Sequence, residues 1–133
     1  MSRVVLGIAI VLGIGAIANG VFMLASPANW YFAVPGVTST GPFNQHFLRD
    51  IGLIFVGLGA AFLLGAARPM YRTVAWGAAA VWLSGHALFH FWEVAVGICG
   101  SSALLRDFPA VTLPALLAVA ITVHAYADKD PVR

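Results

Sequence analysis

The sequence predicts an all-α integral membrane protein: a four-transmembrane-helix bundle with an outer capping loop. Of the 133 residues, 61% are hydrophobic and 9% are charged, far from the usual composition of a water-soluble domain. The apolar residues also gather into four stretches, each close to the roughly 20 residues that a helix needs to cross about 30 Å of hydrocarbon. The length fits one domain, residues 1–133.

The four predicted spans are separated by polar or proline-containing breaks. They cover residues 4–25, 46–67, 72–98 and 109–127. The first follows a basic residue, as the core of a signal peptide does. Its apolar run is longer than the roughly 7–15 residues usual there, so we expect an uncleaved span. Pro114 lies inside the fourth span and predicts a kink.

The long connection between the first and second spans, residues 26–45, predicts a cap over one end of the bundle. Its prolines and glycines exclude a long helix. They are Pro27, Pro35, Gly36, Gly41 and Pro42. Asn29, Trp30 and Tyr31 are suited to the level of the lipid headgroups.

The basic residues predict the orientation, because Lys and Arg are more frequent on the cytoplasmic side of a membrane protein. One end of the bundle carries Arg49 and Arg106. The other end carries Arg3, Arg68, Arg72, Lys129 and Arg133. Both termini are therefore expected in the cytoplasm. The charges form no basic block, so the sequence gives no case for a nucleic-acid partner.

Small residues predict where the helices approach one another, since packing inside lipid depends on close backbone contact. Ala16 and Gly20 on the first span and Gly57, Ala61 and Gly65 on the second are the expected contact surfaces.

Ionisable residues on the second and third spans are the most informative feature of the sequence. His46 and Asp50 are four positions apart and share a helical face. At about 100° per residue, His90 lies roughly 40° to one side of His86 around the helix, and Glu93 lies about 20° to the other side of His86. His86 falls near the predicted membrane midplane, and the other four fall in the outer half. Two antiparallel helices can therefore present them to one interior space.

Asn19 and Arg49 are expected beside this space. A charged residue at the centre of a membrane helix costs at least about 2.5 to 3.5 kcal/mol, so such groups need partners. One hypothesis is a cofactor. Imidazoles and carboxylates bind zinc, copper or iron, and two histidines on different helices bind haem iron. The predicted metal ligands are His46, Asp50, His86, His90 and Glu93.

Two other hypotheses stay open. His90 or Glu93 could act as acid or base on a lipophilic substrate. The same residues could instead form a structural network, with Arg49 paired to Glu93 and Asp50 paired to His90.

Two further features have plainer interpretations. His124 and Asp128 near the end of the fourth span, with Lys129 beside them, are expected at the membrane surface. The single Cys99 has no intrachain disulfide partner, and we expect a packed thiol.

Three features of the sequence point to a known family: the layout of four short spans, the loop segment Trp30–Gly36 (Trp-Tyr-Phe-Ala-Val-Pro-Gly) and the start of the second span at Arg49–Gly52. In these features the sequence resembles the small bacterial DoxX-like membrane proteins. The resemblance implies a four-helix bundle of the bacterial inner membrane, sometimes associated with redox partners, and it leaves the activity open. The stripe from His86 to Glu93 departs from the generic bundle.

The sequence-based hypothesis is therefore a small inner-membrane protein with an outer-half site for a metal ion or haem. Four short helices enclose little space, so we expect a homo-oligomer or a larger membrane assembly. Membrane lipids and a lipophilic small molecule are the other expected partners.

Overall fold

The computed structural model describes residues 1–128, and their regular structure is helical throughout. The α-helices are α1 (Arg3–Ala25), α2 (Pro27–Ala33), α3 (Gln45–Ala67), α4 (Arg72–Ala95), α5 (Ser102–Asp107) and α6 (Leu113–Ala127). Short 3₁₀ turns cover Val37–Ser39 and Pro69–Tyr71, and a π-helical turn, Phe108–Thr112, joins α5 to α6. Lys129 and Arg133, which contributed to the predicted orientation, lie outside the described residues.

The long helices pack as a ring: α1 on α3, α3 on α4, α4 on α6 and α6 on α1. Trp76 of α4 is fully buried, and its indole nitrogen Nε1 donates a hydrogen bond to the Phe62 carbonyl oxygen at 3.0 Å. Gly65 leaves room for this indole ring. The Met1 amine pairs with the Asp128 carboxylate at 2.9 Å. The start of α1 and the end of α6 therefore lie at the same end of the bundle.

The first two predicted spans agree with α1 and α3 to within one residue at each end. Side-chain caps explain the starts of both helices. Ser2 Oγ accepts a hydrogen bond from the Val5 amide at 3.3 Å, and Asn44 Oδ1 accepts one from the Phe47 amide at 3.1 Å. Each cap satisfies a backbone donor that has no partner within the helix.

The prediction of four membrane spans is supported for three of them. In the part of the chain that the structure describes, three helical segments are long and apolar enough to cross a membrane: α1, α3 and the continuous segment Ser102–Ala127. Helix α4 is 24 residues long but is not among them. Its two histidines and Glu93, the residues that make it chemically interesting, lower its mean hydropathy.

The fourth long helical segment begins at Ser102, earlier than the predicted residue 109. The helix continues through Pro109, the first residue of the predicted span, by widening into the π-helical turn. The Leu113 amide donates to the Phe108 carbonyl oxygen, five residues earlier. Pro114 has no amide hydrogen to offer the Ala110 carbonyl, and the π-helical turn lies directly before it. Helix α4 also ends early, at Ala95 instead of residue 98.

Glycines bring α1 and α3 into backbone contact. Gly13 and Gly20 of α1 face Gly59 and Gly52 of α3, respectively. A Cβ atom on Gly20 would lie 2.5 Å from the Gly52 carbonyl oxygen, and one on Gly59 would lie 2.5 Å from that of Gly13. Gly20 is therefore a contact residue, as predicted. The prediction for Gly57 is wrong, because a Cβ there would meet nothing within 4 Å among the described residues.

Candidate functional site

A cavity of about 730 Å³ lies between the helices. Small-molecule sites commonly have volumes of about 300–1,000 Å³ and mostly apolar walls. Aliphatic side chains from α1, α3, α4 and the α5–α6 segment line part of this cavity. Its aromatic lining residues are Trp30, Phe47, Phe55, Phe62, Trp82 and Phe89. The volume and the mostly apolar lining fall within the range of known small-molecule sites.

The connection between α1 and α3 forms one wall of this cavity, with α2 at its start. The Trp30 indole nitrogen donates a hydrogen bond to Asn19 Oδ1 at 2.8 Å, which fixes α2 against α1. Both residues line the cavity, so the expected placement of Asn19 beside an interior space agrees with the structure. Gly36 adopts a left-handed conformation with φ 89° and lies directly against the Arg106 guanidinium. A side chain at position 36 would displace that guanidinium.

Residues at helical spacing on α4 line a second wall of the cavity. His86, His90 and Glu93 all lie on this wall, as the helical spacing predicts. The His86 ring stacks on Trp82, with centroids 5.2 Å apart and planes at 22°. The His86 and His90 rings meet edge to face, with centroids 4.8 Å apart. Glu93 is 8% exposed. The predicted stripe therefore presents two imidazoles and a buried carboxyl group to one cavity.

His90 is held by an acidic residue of α5. Its ring nitrogen Nδ1 lies 3.1 Å from Asp107 Oδ2, and the side chains of His90 and Asp107 are 26% and 13% exposed. Arg106 donates to both carboxylate oxygens of Asp107, from Nε to Oδ1 at 2.6 Å and from Nη2 to Oδ2 at 2.9 Å. An ionised Asp107 accepts the proton of His90 Nδ1. The Nε2 atom of His90 is then a hydrogen-bond acceptor.

Sequence analysis missed Asp107, which is 17 residues from His90 along the chain. The available signal was an acidic residue beside Arg106 at the outer edge of the predicted fourth span. That edge is at the same end of the bundle as His90.

His46 and Asp50 lie away from the other three predicted metal ligands. His46 Nε2 is 3.2 Å from Asp50 Oδ2, so these two do share a helical face. Their side chains are 89% and 56% exposed, and they are not among the residues that line the cavity. Helix α3 turns Gly52 towards α1, and Asp50 is about 200° around the helix from Gly52. Within residues 1–128, no group of three or more His, Cys, Asp or Glu side chains is placed to hold one metal ion.

Among the residues that it describes, the structure does not contain the two ion pairs that the structural hypothesis placed between the second and third spans. Arg49 Nε donates to a backbone carbonyl oxygen of α1 at 3.2 Å, instead of to Glu93. Asp50 pairs with His46, so the acidic partner of His90 comes from α5. Across the described part of the chain, the Glu93 side chain has no hydrogen bond and no ion pair.

Two minor expectations have different outcomes. His124 is exposed near the end of α6, in agreement with a place outside the main cluster. Cys99, expected to be a packed thiol, is half-buried and lines the cavity near Glu93.

Comparison with protein-family models, curated proteins and solved structures found no match to this chain.

Proposed function

We propose that the protein is an integral membrane protein that binds a lipophilic small molecule in the cavity and exchanges a proton with it through His90. The observation that carries this proposal is the cavity itself: about 730 Å³, largely apolar, with His86, His90 and Glu93 on one wall. A lipophilic molecule suits the apolar walls, and its polar end suits the imidazoles.

The exposed face of α4 supports membrane insertion of this helix as a fourth span. Val74, Val81 and Leu88 are exposed and recur every seven residues on one face. Leu88 lies about 200° around the helix from both His86 and His90. His86, His90 and Glu93 therefore face the cavity, whereas the apolar stripe of Val74, Val81 and Leu88 faces outwards. This division is expected of a span that encloses a polar site within lipid.

The remaining features of the proposed setting come from the sequence. The distribution of basic residues supports cytoplasmic termini, and the DoxX-like resemblance supports a bacterial inner membrane. An oligomer is also proposed, because of the limited volume that four short helices enclose. Native mass spectrometry in mild detergent tests this part, and a spectrum of monomers alone contradicts it.

The contact between Asp107 and His90 supports proton exchange. A carboxylate that accepts the Nδ1 proton of histidine holds the ring in one orientation and leaves Nε2 as the reactive atom. Arg106 neutralises the Asp107 carboxylate and keeps it in place through two hydrogen bonds. His90 Nε2 then accepts a proton from a ligand in the cavity and returns it in a later step.

Two sequence-based alternatives have weaker support. The hypothesis of a metal ion or haem is weaker because two of the predicted metal ligands, His46 and Asp50, lie outside the cavity. A purely structural network accounts for the contacts among Arg106, Asp107 and His90. It gives no role to the unpaired Glu93 carboxyl group or to the volume beside it.

Nitrogen NMR of the purified protein, with ¹⁵N-labelled histidine, tests the proposal. Added dodecanol is expected to shift the Nε2 signals of His86 and His90, because both rings line the cavity. His46, which is 89% exposed and outside the cavity, is the control within the same spectrum. Equal shifts at all of these histidines, or unchanged signals from the cavity histidines at saturating dodecanol, contradict the proposal.

A further inference from the structure

We infer that the polar end of the ligand is a positively charged amine, which the Glu93 carboxylate and the aromatic rings of the cavity bind. This inference rests on the proposed function, because it assumes that the cavity holds a lipophilic molecule. It adds the chemical class of that molecule: an apolar tail with an ammonium group, as opposed to a fatty acid or another lipophilic anion.

The charges on the cavity wall argue against an anionic ligand. Arg106 lines the cavity, but its guanidinium group donates two hydrogen bonds to Asp107. That ion pair has no net charge, and His90 is already bound to the same carboxylate. An entering carboxylate would therefore have to compete with Asp107 for Arg106. It would also meet the negative charge of Glu93.

Glu93 favours a cationic ligand. Its side chain lines the cavity, the residue is 8% exposed, and no protein group within residues 1–128 pairs with the carboxyl group. Buried carboxylates are usually paired, because taking an unpaired charge out of water costs several kcal/mol. In this bundle the neighbouring cations have other partners: Arg106 binds Asp107, and Arg49 binds a backbone carbonyl of α1. A ligand ammonium group would supply the missing partner.

Aromatic rings on the cavity wall strengthen this choice of charge. Trp30, Trp82 and Phe89 line the same cavity as Glu93. The faces of aromatic rings attract an ammonium ion and have no comparable attraction for a carboxylate. The aliphatic remainder of the wall suits the tail of the molecule. A carboxylate, several aromatic rings and an apolar extension together fit a lipophilic amine.

The experiment compares three photoreactive probes that share one twelve-carbon chain with a diazirine: an amine, an alcohol and a carboxylate. The full chain is placed in phosphatidylcholine nanodiscs and irradiated, and the labelled peptides are mapped. Labelling at cavity residues is divided by labelling at Leu105, which is exposed on the outside of the bundle and is expected to face lipid. This ratio corrects for partition into the bilayer. We expect the amine to reach half-maximal cavity labelling at a concentration about tenfold below that of the carboxylate.

Two variants test the role of Glu93. Glu93→Gln is expected to weaken cavity labelling by the amine about tenfold and to leave labelling by the neutral alcohol unchanged. The alcohol result also shows that the variant keeps its fold. Asp50→Asn removes an exposed carboxylate outside the cavity and is expected to change neither result. Because it removes the same charge from α3, it controls for the overall charge of the protein.

The possible failures are distinguishable. If the alcohol labels the cavity but the amine has no advantage over the carboxylate, or Glu93→Gln leaves amine labelling unchanged, the inference about the amine is wrong and the proposed function stands. If all three probes fail to label cavity residues of the wild-type protein, the proposed function fails, and the inference fails with it.

Discussion

Substitution of Gly59 by alanine tests the contact between α1 and α3. The new Cβ atom would lie 2.5 Å from both the Gly13 carbonyl oxygen and Ile17 Cγ1, and 2.9 Å from the Ile17 amide nitrogen. Favourable contacts between heavy atoms lie near about 3.5–4 Å, so the helices would have to separate. Overpacking of this kind costs about 1–3 kcal/mol. Alanine recovers up to about 1 kcal/mol through its higher helix propensity.

Gly57→Ala on the same helix is the matched control. A Cβ atom at position 57 meets nothing within 4 Å among the described residues, so the gain in helix propensity remains. Because both variants share that gain, their free energies of unfolding should differ by about 1–3 kcal/mol, with Gly59→Ala the less stable. Unfolding by sodium dodecyl sulfate in mixed micelles, followed by circular dichroism, measures this difference. Equal stability of the two variants would refute the described contact.

Two further predictions concern the polar end of the cavity and use the same unfolding assay. Asp107→Asn weakens the hydrogen bonds that a half-buried carboxylate accepts, and it should lower stability by about 1–3 kcal/mol. Asp50→Asn, in an exposed pair, should change it by less than about 1 kcal/mol, and the reverse order would contradict the described sites. Gly36→Ala should lower the free energy of unfolding by about 1–2 kcal/mol because of the positive φ at this position. Displacement of Arg106 by the new side chain would add to this loss. Gly41→Ala in the same loop should be nearly neutral, so equal losses would argue against the left-handed turn at position 36.

The helices were largely predictable because their signals are local. Each predicted span is an apolar run that is continuous in the sequence, so α1 and α3 were placed to within one residue. The start of the fourth helical segment was not predicted, because the polar residues Arg106 and Asp107 lie just before the apolar run that defined the predicted span. Here the chain continues through a π-helical turn whose hydrogen bond spans five residues. Local propensity does not encode that alternative.

The candidate site was only partly predictable, for a geometric reason. His86, His90 and Glu93 belong to one helix, so their common face follows from helical spacing alone. Whether His46 and Asp50 join them depends on the rotation of α3. That rotation is set by the contacts of Gly52 and Gly59 with α1, neither of which was predicted. Asp107 was missed because its contact with His90 is tertiary and has no periodic signal.

The central claim is that the cavity binds a lipophilic molecule, and tryptophan fluorescence tests it most directly. Trp30 and Trp82 line the cavity, so a bound brominated dodecanol should quench them with saturation. Gly15 also lines the cavity, whereas Gly7 on the same helix does not. A Cβ atom at either position meets nothing within 4 Å among residues 1–128. Gly15→Phe should raise the half-saturating concentration by at least about tenfold, whereas Gly7→Phe should match the wild type. Non-saturating quenching that is equal in all three proteins would contradict the claim.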